Sequence, residues 1–217
     1  MIQLLGKIPD SITVAVSGGP DSMAALDFLN NGKRRVSVLY FNHMTEHGQV
    51  AKKFVRNYCL QRGIGCLDDR IRRKKKDSES WEEFWRAERY EYFKRRSDRP
   101  IITAHHLNDV VEWWVYSSLH GEAKVIPYEN PDYNIIRPFL LTPKEEMVNW
   151  CERKNVPYLL DPSNEERSHM RNVIRHDMMP IILRVNPGIE KVLRKKVQQV
   201  FDMKQKLYKT KPIDVSL

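Results

Sequence analysis

Ser17-Gly18-Gly19-Pro20-Asp21-Ser22 (SGGPDS) follows the apolar run ITVAV and precedes MAALDFL. An apolar run that empties through two glycines into a helix-forming segment reads as a strand, a tight turn and a helix N-terminus. There the first helical N–H groups lack intrahelical partners and the helix dipole favours negative charge, so the junction is built to hold an anion. Gly18 and Gly19 let successive N–H groups point inward as a nest, Ser17 and Ser22 add hydroxyl donors, and Pro20 suits the start of the helix. Asp21 is an acid among those donors, which makes sense beside phosphates if it holds Mg²⁺. The Gly-Lys-Ser/Thr ending of the familiar phosphate loop is absent, and so are the three spaced glycines of the dinucleotide fingerprint. The loop must handle its phosphates in another way.

The alternation continues on either side of this loop. SITVAV, RRVSVLYFNH, IGCLDDRI and PIITAHH read as strands. Helical stretches lie between them: SMAALDFLN, a helix marked by Ala51, Phe54, Val55, Tyr58 and Cys59, and a longer one from about Ser80 to Arg96. Another helix is expected over Leu107 to Leu119. Strands alternating with helices predict right-handed crossovers and an α/β fold with a doubly wound parallel sheet. Ligands in such sheets sit beyond the carboxyl ends of the strands, here SGGPDS, FNHMT and TAHHLND. After Gly121 the character changes to IIRPFL, a helix from Pro143 to Lys154, and two further helices over about 168–184 and 187–209. The chain is therefore divided into an α/β domain, 1–185, and a basic helical C-terminal extension, 186–217.

Across its 217 residues the chain is 41% hydrophobic and 30% charged, enough apolar sequence for a folded core. No apolar run has the length needed to span a bilayer, and MIQLLGKIPDS is too short and too polar for a secretion signal. A cytoplasmic protein with no membrane partner is the expectation. Cys59, Cys66 and Cys151 are odd in number and form no C-x-x-C pair, so neither a disulfide framework nor a zinc site is indicated. The net charge of +9 favours a polyanionic partner, for which nucleic acid is the commoner class. Two clusters carry much of it: RIRRKKK at residues 70–76, with six cations, and the last helix with Lys191, Arg194, Lys195, Lys196, Lys204, Lys206, Lys209 and Lys211 against only Glu190 and Asp202.

SGGPDS in this context resembles the PP-loop of the N-type ATP pyrophosphatases, which cleave ATP between its α- and β-phosphates and move AMP onto a carbonyl oxygen. Later motifs are similar to those of the tRNA(Ile)-lysidine synthase family within that group. TAHHLNDVVEWW resembles its H-H-x-D-D-x-x-E segment through His105, His106, Asp109 and Glu112. SWEEFWRAERYEYF matches its E-x-x-x-R-x-x-R-Y helix through Glu82, Arg86, Arg89 and Tyr90, and RPFLL (137–141) resembles its R-P-L-L. DPSNEERSHMRNVIRHDMMP carries D-x-S-N, R-N-x-I-R and a proline as Asp161, Ser163, Asn164, Arg171, Asn172, Arg175 and Pro180. The matches run in order from Ser17 to about Pro187. The fold implied is a Rossmann-like PP-loop domain.

The resemblance implies an ATP- and Mg²⁺-dependent ligase. ATP adenylates the ring carbonyl oxygen of the wobble cytidine in a CAU-anticodon isoleucine tRNA, and the ε-amine of free lysine displaces AMP to give lysidine. The residues implied for ATP are Ser17, Gly18, Gly19, Pro20, Asp21, Ser22, His43, Ala104 and His105, with Asp21 also on the metal. Arg86 and Arg175 would neutralise charge on the transferring phosphoryl group. Asp109 and Glu112, three apart on one helical face, would receive the lysine ammonium and its proton. Asn164, Arg171 and Asn172 would complete the substrate contacts. The sequence departs from the family pattern at Asn108, where the family has the first aspartate of D-D, and at His120, where it has arginine. The G-L-R after His43 is missing, and the chain ends where cellular lysidine synthases continue into tRNA-gripping domains. Two other readings stand beside this one: a related enzyme adenylating another base or small molecule, and a catalytically idle RNA-binding module. A tRNA thiolase would need cysteines at spacings this chain lacks.

Overall fold

The structure is a computed structural model that describes residues 1–96, 98–162 and 170–210, with the side chains of 209 and 210 excepted. Its first half runs β1 (Ser11–Ala15), α1 (Pro20–Asn31), β2 (Arg35–Asn42), α2 (Glu46–Gln61), β3 (Gly65–Arg70), α3 (Trp81–Lys94), β4 (Ile101–Ile102) and α4 (Leu107–Leu119). The second half holds β5 (Glu129–Asn130), a 3₁₀ turn over Pro131–Tyr133, β6 (Ile135–Ile136) and α5 (Lys144–Lys154). It continues with α6 (Met170–Val173), a π-helical turn (Ile174–Met178), α7 (Met179–Val185) and α8 (Ile189–Thr210).

The sheet order is β3-β2-β1-β4-β6-β5. All neighbours pair in parallel except β5, which runs antiparallel to β6 at the edge. The expected doubly wound sheet is present, with this short hairpin as its one antiparallel addition. The reversal is local: Asn134 at φ +49° follows the 3₁₀ turn and returns the chain so that Glu129 pairs with Ile136.

Side-chain alternation along the strands sorts the core into two layers. Ile12, Val14, Val38, Tyr40 and Ile102 pack with α1, α2 and α5 on one face. Leu39, Phe41, Ile101 and Ile135 turn to the other, against Tyr90, Tyr92 and Phe93 of α3. A third cluster joins Leu5, Val110 and Val111 to Ile189, Leu193 and Val197 of α8. The C-terminal helix thus buries one stripe against α4 and the N-terminal segment while keeping its lysine-rich side outside. No helix among the described residues is long and apolar enough to cross a membrane.

Candidate active site

From β1 the chain winds through α1 and α2 to β2 and β3 on one side, then crosses through α3 to β4 on the other. The crevice between the carboxyl ends of β1 and β4 is therefore the switch point, where such sheets bind ligands. SGGPDS leaves β1 there and Thr103-Ala104-His105-His106 leaves β4. In the loop, Gly18 adopts φ +94°, a backbone that residues with a Cβ rarely adopt. Ser17 and Ser22 hydroxyls meet at 3.1 Å, Ser22 Oγ accepts from Ser17 N at 3.1 Å, and it lies 3.0 Å from the Gly19 carbonyl oxygen. Leu159 N donates to Gly18 O at 2.9 Å, so a distant segment pins the loop from behind. The cap residue Gly19 offers α1 no side-chain acceptor, which leaves the N-terminus of α1 open toward the cleft.

Asp21 sits in the first turn of α1, and its Oδ1 is buried without a hydrogen-bond partner; Oδ2 lies 3.6 Å from His106 Nε2. An orphaned carboxylate oxygen at an open helix end fits Mg²⁺. That ion commonly takes one or two carboxylates, with phosphates and water completing its shell. No cluster of three or more His, Cys, Asp or Glu side chains stands ready for a metal among the described residues. An ion here would thus depend on Asp21 and on the phosphates it accompanies.

His106 is also the N-cap of α4. It accepts from Asp109 N at Nδ1 (3.3 Å), and Asp109 Oδ2 accepts from His106 N (2.9 Å), a reciprocal capping box. Two arginines reach the same helix. Arg171 of α6 bonds Asp109 Oδ1 and donates from Nε to Glu112 Oε2 at 3.2 Å. Arg175, on the π-helical turn, donates to both Glu112 oxygens at 2.7 and 3.0 Å. Asp109 and Glu112 are each 5% exposed and are the most buried acids among the described residues. Burial alone would raise the Asp109 pKa, but the charges of His106 and Arg171 outweigh it and hold the carboxyl far below its ordinary range. Burial would lower the His106 pKa, and the Asp109 and Asp21 charges overcome that and raise it.

The cleft has a volume of about 380 Å³. Of the residues expected to bind or act, Ser17, Gly19, Asp21, Ser22, His43, Ala104, His105, Asp109, Arg171, Asn172 and Arg175 line it. Gly18 and Pro20 shape the loop without lining the cleft, and Glu112 stands behind Asp109. Arg86 lies on the exposed side of α3, its guanidinium 4.7 Å over the Tyr90 ring. Arg89, one turn further on, lines the cleft instead, and burial lowers its pKa. Helical periodicity does not separate the two, because Arg86 stands seven residues before buried Phe93 and Arg89 stands four before it. Asn164 lies outside the described residues. His105 and His43 are pushed down by burial to about 3 and about 4, so both are neutral at physiological pH. His105 Nδ1 is 2.8 Å from Thr103 Oγ1, and His43 Nδ1 is buried without a partner.

Asn108 points away from the cleft. Its Oδ1 accepts from Lys144 N at 2.8 Å and its Nδ2 donates to Glu190 at 2.9 Å, joining α4, α5 and α8. The departure from the D-D pattern therefore removes no charge from the cleft lining.

Residues 3–182 match the PP-loop domain family. The tRNA(Ile)-lysidine synthase of Aster yellows witches'-broom phytoplasma is 30% identical over 178 residues, covering 78% of this chain and 41% of that protein. The tRNA(Ile)-lysidine synthase of Persephonella marina is 30% identical over 195 residues, covering 83% of this chain and 43% of its own length. The chain thus spans about two-fifths of these relatives. Among solved structures, the U34-tRNA thiolase NcsA of Methanococcus maripaludis superposes with a TM-score of 0.69 at 15% identity, covering 97% of this chain and 76% of the other. That likeness speaks for the fold alone. With the loop, the switch point and a match over most of its length, this chain belongs to the PP-loop domain family and is a homologue of the tRNA(Ile)-lysidine synthases.

Proposed function

We propose that this chain is an ATP-dependent ligase that adenylates the wobble cytidine of a CAU-anticodon tRNA(Ile) and joins free lysine to it, forming lysidine. The observation that carries the reading is one continuous polar path. It runs from the orphaned Asp21 oxygen at the open end of α1, through His106, to buried Asp109 beside Glu112.

In the first step the base's ring carbonyl oxygen bonds to the α-phosphorus of ATP and pyrophosphate leaves. The Gly18–Gly19 turn and the first N–H groups of α1 receive the leaving charge. Mg²⁺ on Asp21 would add positive charge at the phosphates. We assign the charge on the transferring group to Arg175 and Arg89, a reading supported by their lining the cleft while Arg86 lies on the outer side of α3. In the second step the ammonium gives up one proton to solvent, the lysine ε-nitrogen bonds to the ring carbon, and AMP leaves with the oxygen. A strongly depressed pKa makes Asp109 a weak base and a permanent anion, so its role is to attract and orient the ammonium.

The test is direct. The chain is incubated with ATP, Mg²⁺, labelled lysine and CAU-anticodon tRNA(Ile), and the RNA is counted. Label in the RNA is expected, and Asp109→Ala abolishes it. Incorporation into another acceptor but not this tRNA overturns the substrate while leaving the two-step chemistry in place. Transfer undiminished by Asp109→Ala removes that residue from the site.

A further inference from the structure

Outside the cleft, the N-terminal end of α3 carries an aromatic surface that neither step above uses. Trp81 is 54% exposed although it is one of the largest apolar side chains in the molecule. Its ring lies 5.5 Å from that of Trp85 at an interplanar angle of 39°. The Trp85 ring is in turn 5.7 Å from His43, and His43 lines the cleft. Three rings therefore step from solvent to the mouth of the candidate active site.

The flank of this series is cationic, and its charges divide into two sets. Arg72 and Arg73 are neutralised within the fold by Asp69, Glu79 and Glu88. Among the described residues the side chains of Arg70, Lys74 and Lys76 form no salt bridge, although Lys76 donates from its backbone N to Glu79 Oε2 at 3.0 Å. Lys75 Nζ lies 5.6 Å over the Trp81 ring and is held by the backbone carbonyls of Lys76 and Glu79. Lys75 thus sits over the exposed indole, with Lys74 and Lys76 adjoining it in the chain.

We infer that Trp81 and Trp85, flanked by Arg70, Lys74, Lys75 and Lys76, form a stacking platform for unpaired RNA bases next to the base delivered into the cleft. Indole faces take any nucleobase by stacking, and adjacent cations take the phosphates between them. Asp77 and Glu82 stand on the same rim, but Glu79 is held by Arg73 and Glu83 by the Ser80 cap, so cations remain in excess beside an exposed indole that leads ring by ring to the cleft, a combination that suits a single-stranded polyanion. The inference rests on the RNA substrate class proposed above and names the surface that presents it.

The experiment measures affinity for a fluorescently labelled CAU-anticodon stem–loop by anisotropy. Trp81→Ala and Trp81→Leu both bind about 10-fold more weakly, because each removes the π-face and only the alanine removes the apolar bulk. Trp81→Phe stays close to the parent. Trp113→Ala, at an indole 41% exposed on α4, leaves affinity unchanged and serves as the control. The double variant Lys74→Gln, Lys76→Gln lowers the slope of log affinity against log salt by about 1.4. Parent-like affinity in Trp81→Leu, or no binding of the stem–loop by the parent, overturns the platform. Lysine transfer is read on the same variants. Trp81-dependent binding without transfer sinks the ligase reading and keeps the platform; transfer with an unchanged KM for RNA in Trp81→Leu does the reverse.

Discussion

Gly18 is where a single residue most directly fixes the loop. At φ +94° an added Cβ would lie 3.6 Å from Ala51, Phe54 and Val55, an ordinary contact, so the strain of a substitution is in the backbone. Gly18→Ala should cost about 1–2 kcal/mol in urea unfolding and weaken ATP binding, since the nest must open to relieve it. Strong ATP binding by a fully stable Gly18→Ala protein would show that the turn is not held in this conformation. The cleft histidines make a second prediction. His43 and His105 ionise at about 4 and about 3 in the fold, against 6.5 ordinarily. Below pH 6.5 the unfolded chain takes up both protons while the folded one does not. Their contribution is therefore full above 6.5 and is lost toward pH 4, at up to about 1.4 kcal/mol per pH unit for each. His106 has a raised value and acts in the opposite sense: its contribution is full below 6.5 and is lost as the pH rises through its folded pKa. Stability should peak near neutrality, and His43→Gln should roughly halve the acid-side slope between pH 6 and pH 5, as read by denaturation at stepped pH. An unchanged slope would mean that His43 is protonated in the fold.

At the scale of elements, the helix ends explain which parts of the sequence were legible. Leu107–Leu119 is helical over the span its pattern predicts, because His106 and Asp109 cap it reciprocally. Ser80 and Glu83 do the same for α3, which starts at Trp81 beside the expected Ser80. PIITAHH shrinks to a two-residue strand because the chain beyond Ile102 leaves the sheet to form the cleft wall. β5 and the π-helical turn have no local signature; each depends on partners brought from elsewhere. Asn108 shows the same limit from the other side. Read in sequence, it weakens an acidic motif, whereas in the fold it bridges Lys144 N and Glu190. Asn108→Asp would set a carboxylate against Glu190 and lose a donor, at a cost of about 1–3 kcal/mol. Glu190→Gln in the same chain should recover part of that loss, and a double-mutant cycle in urea measures the coupling. Full stability of Asn108→Asp alone would rule out the bridge.

For the whole molecule, the loop, the histidine–acid motif and the strand alternation placed the cleft at the carboxyl end of the sheet. Sequence order could not show that Arg171 and Arg175 neutralise Asp109 and Glu112, some sixty residues away. The motif supplies the acids and the tertiary fold decides that they are paired anions. The same reasoning bears on the division at residue 185. Leu193 and Val197 are 2% and 3% exposed and share a cluster with Leu5, Val110 and Val111, so α8 completes a layer that begins at the N-terminus. A helix docked through a shared core unfolds with it, whereas an appended module unfolds separately. Leu193→Ala deletes a buried isopropyl group and should cost about 2–5 kcal/mol. Its urea curve should shift as one transition, with far-ultraviolet dichroism and tryptophan fluorescence coinciding. An early helical transition that leaves the tryptophan signal native would mean that α8 is a detachable arm, and that the Asn108 bridge joining α4, α5 and α8 does not hold it to the core.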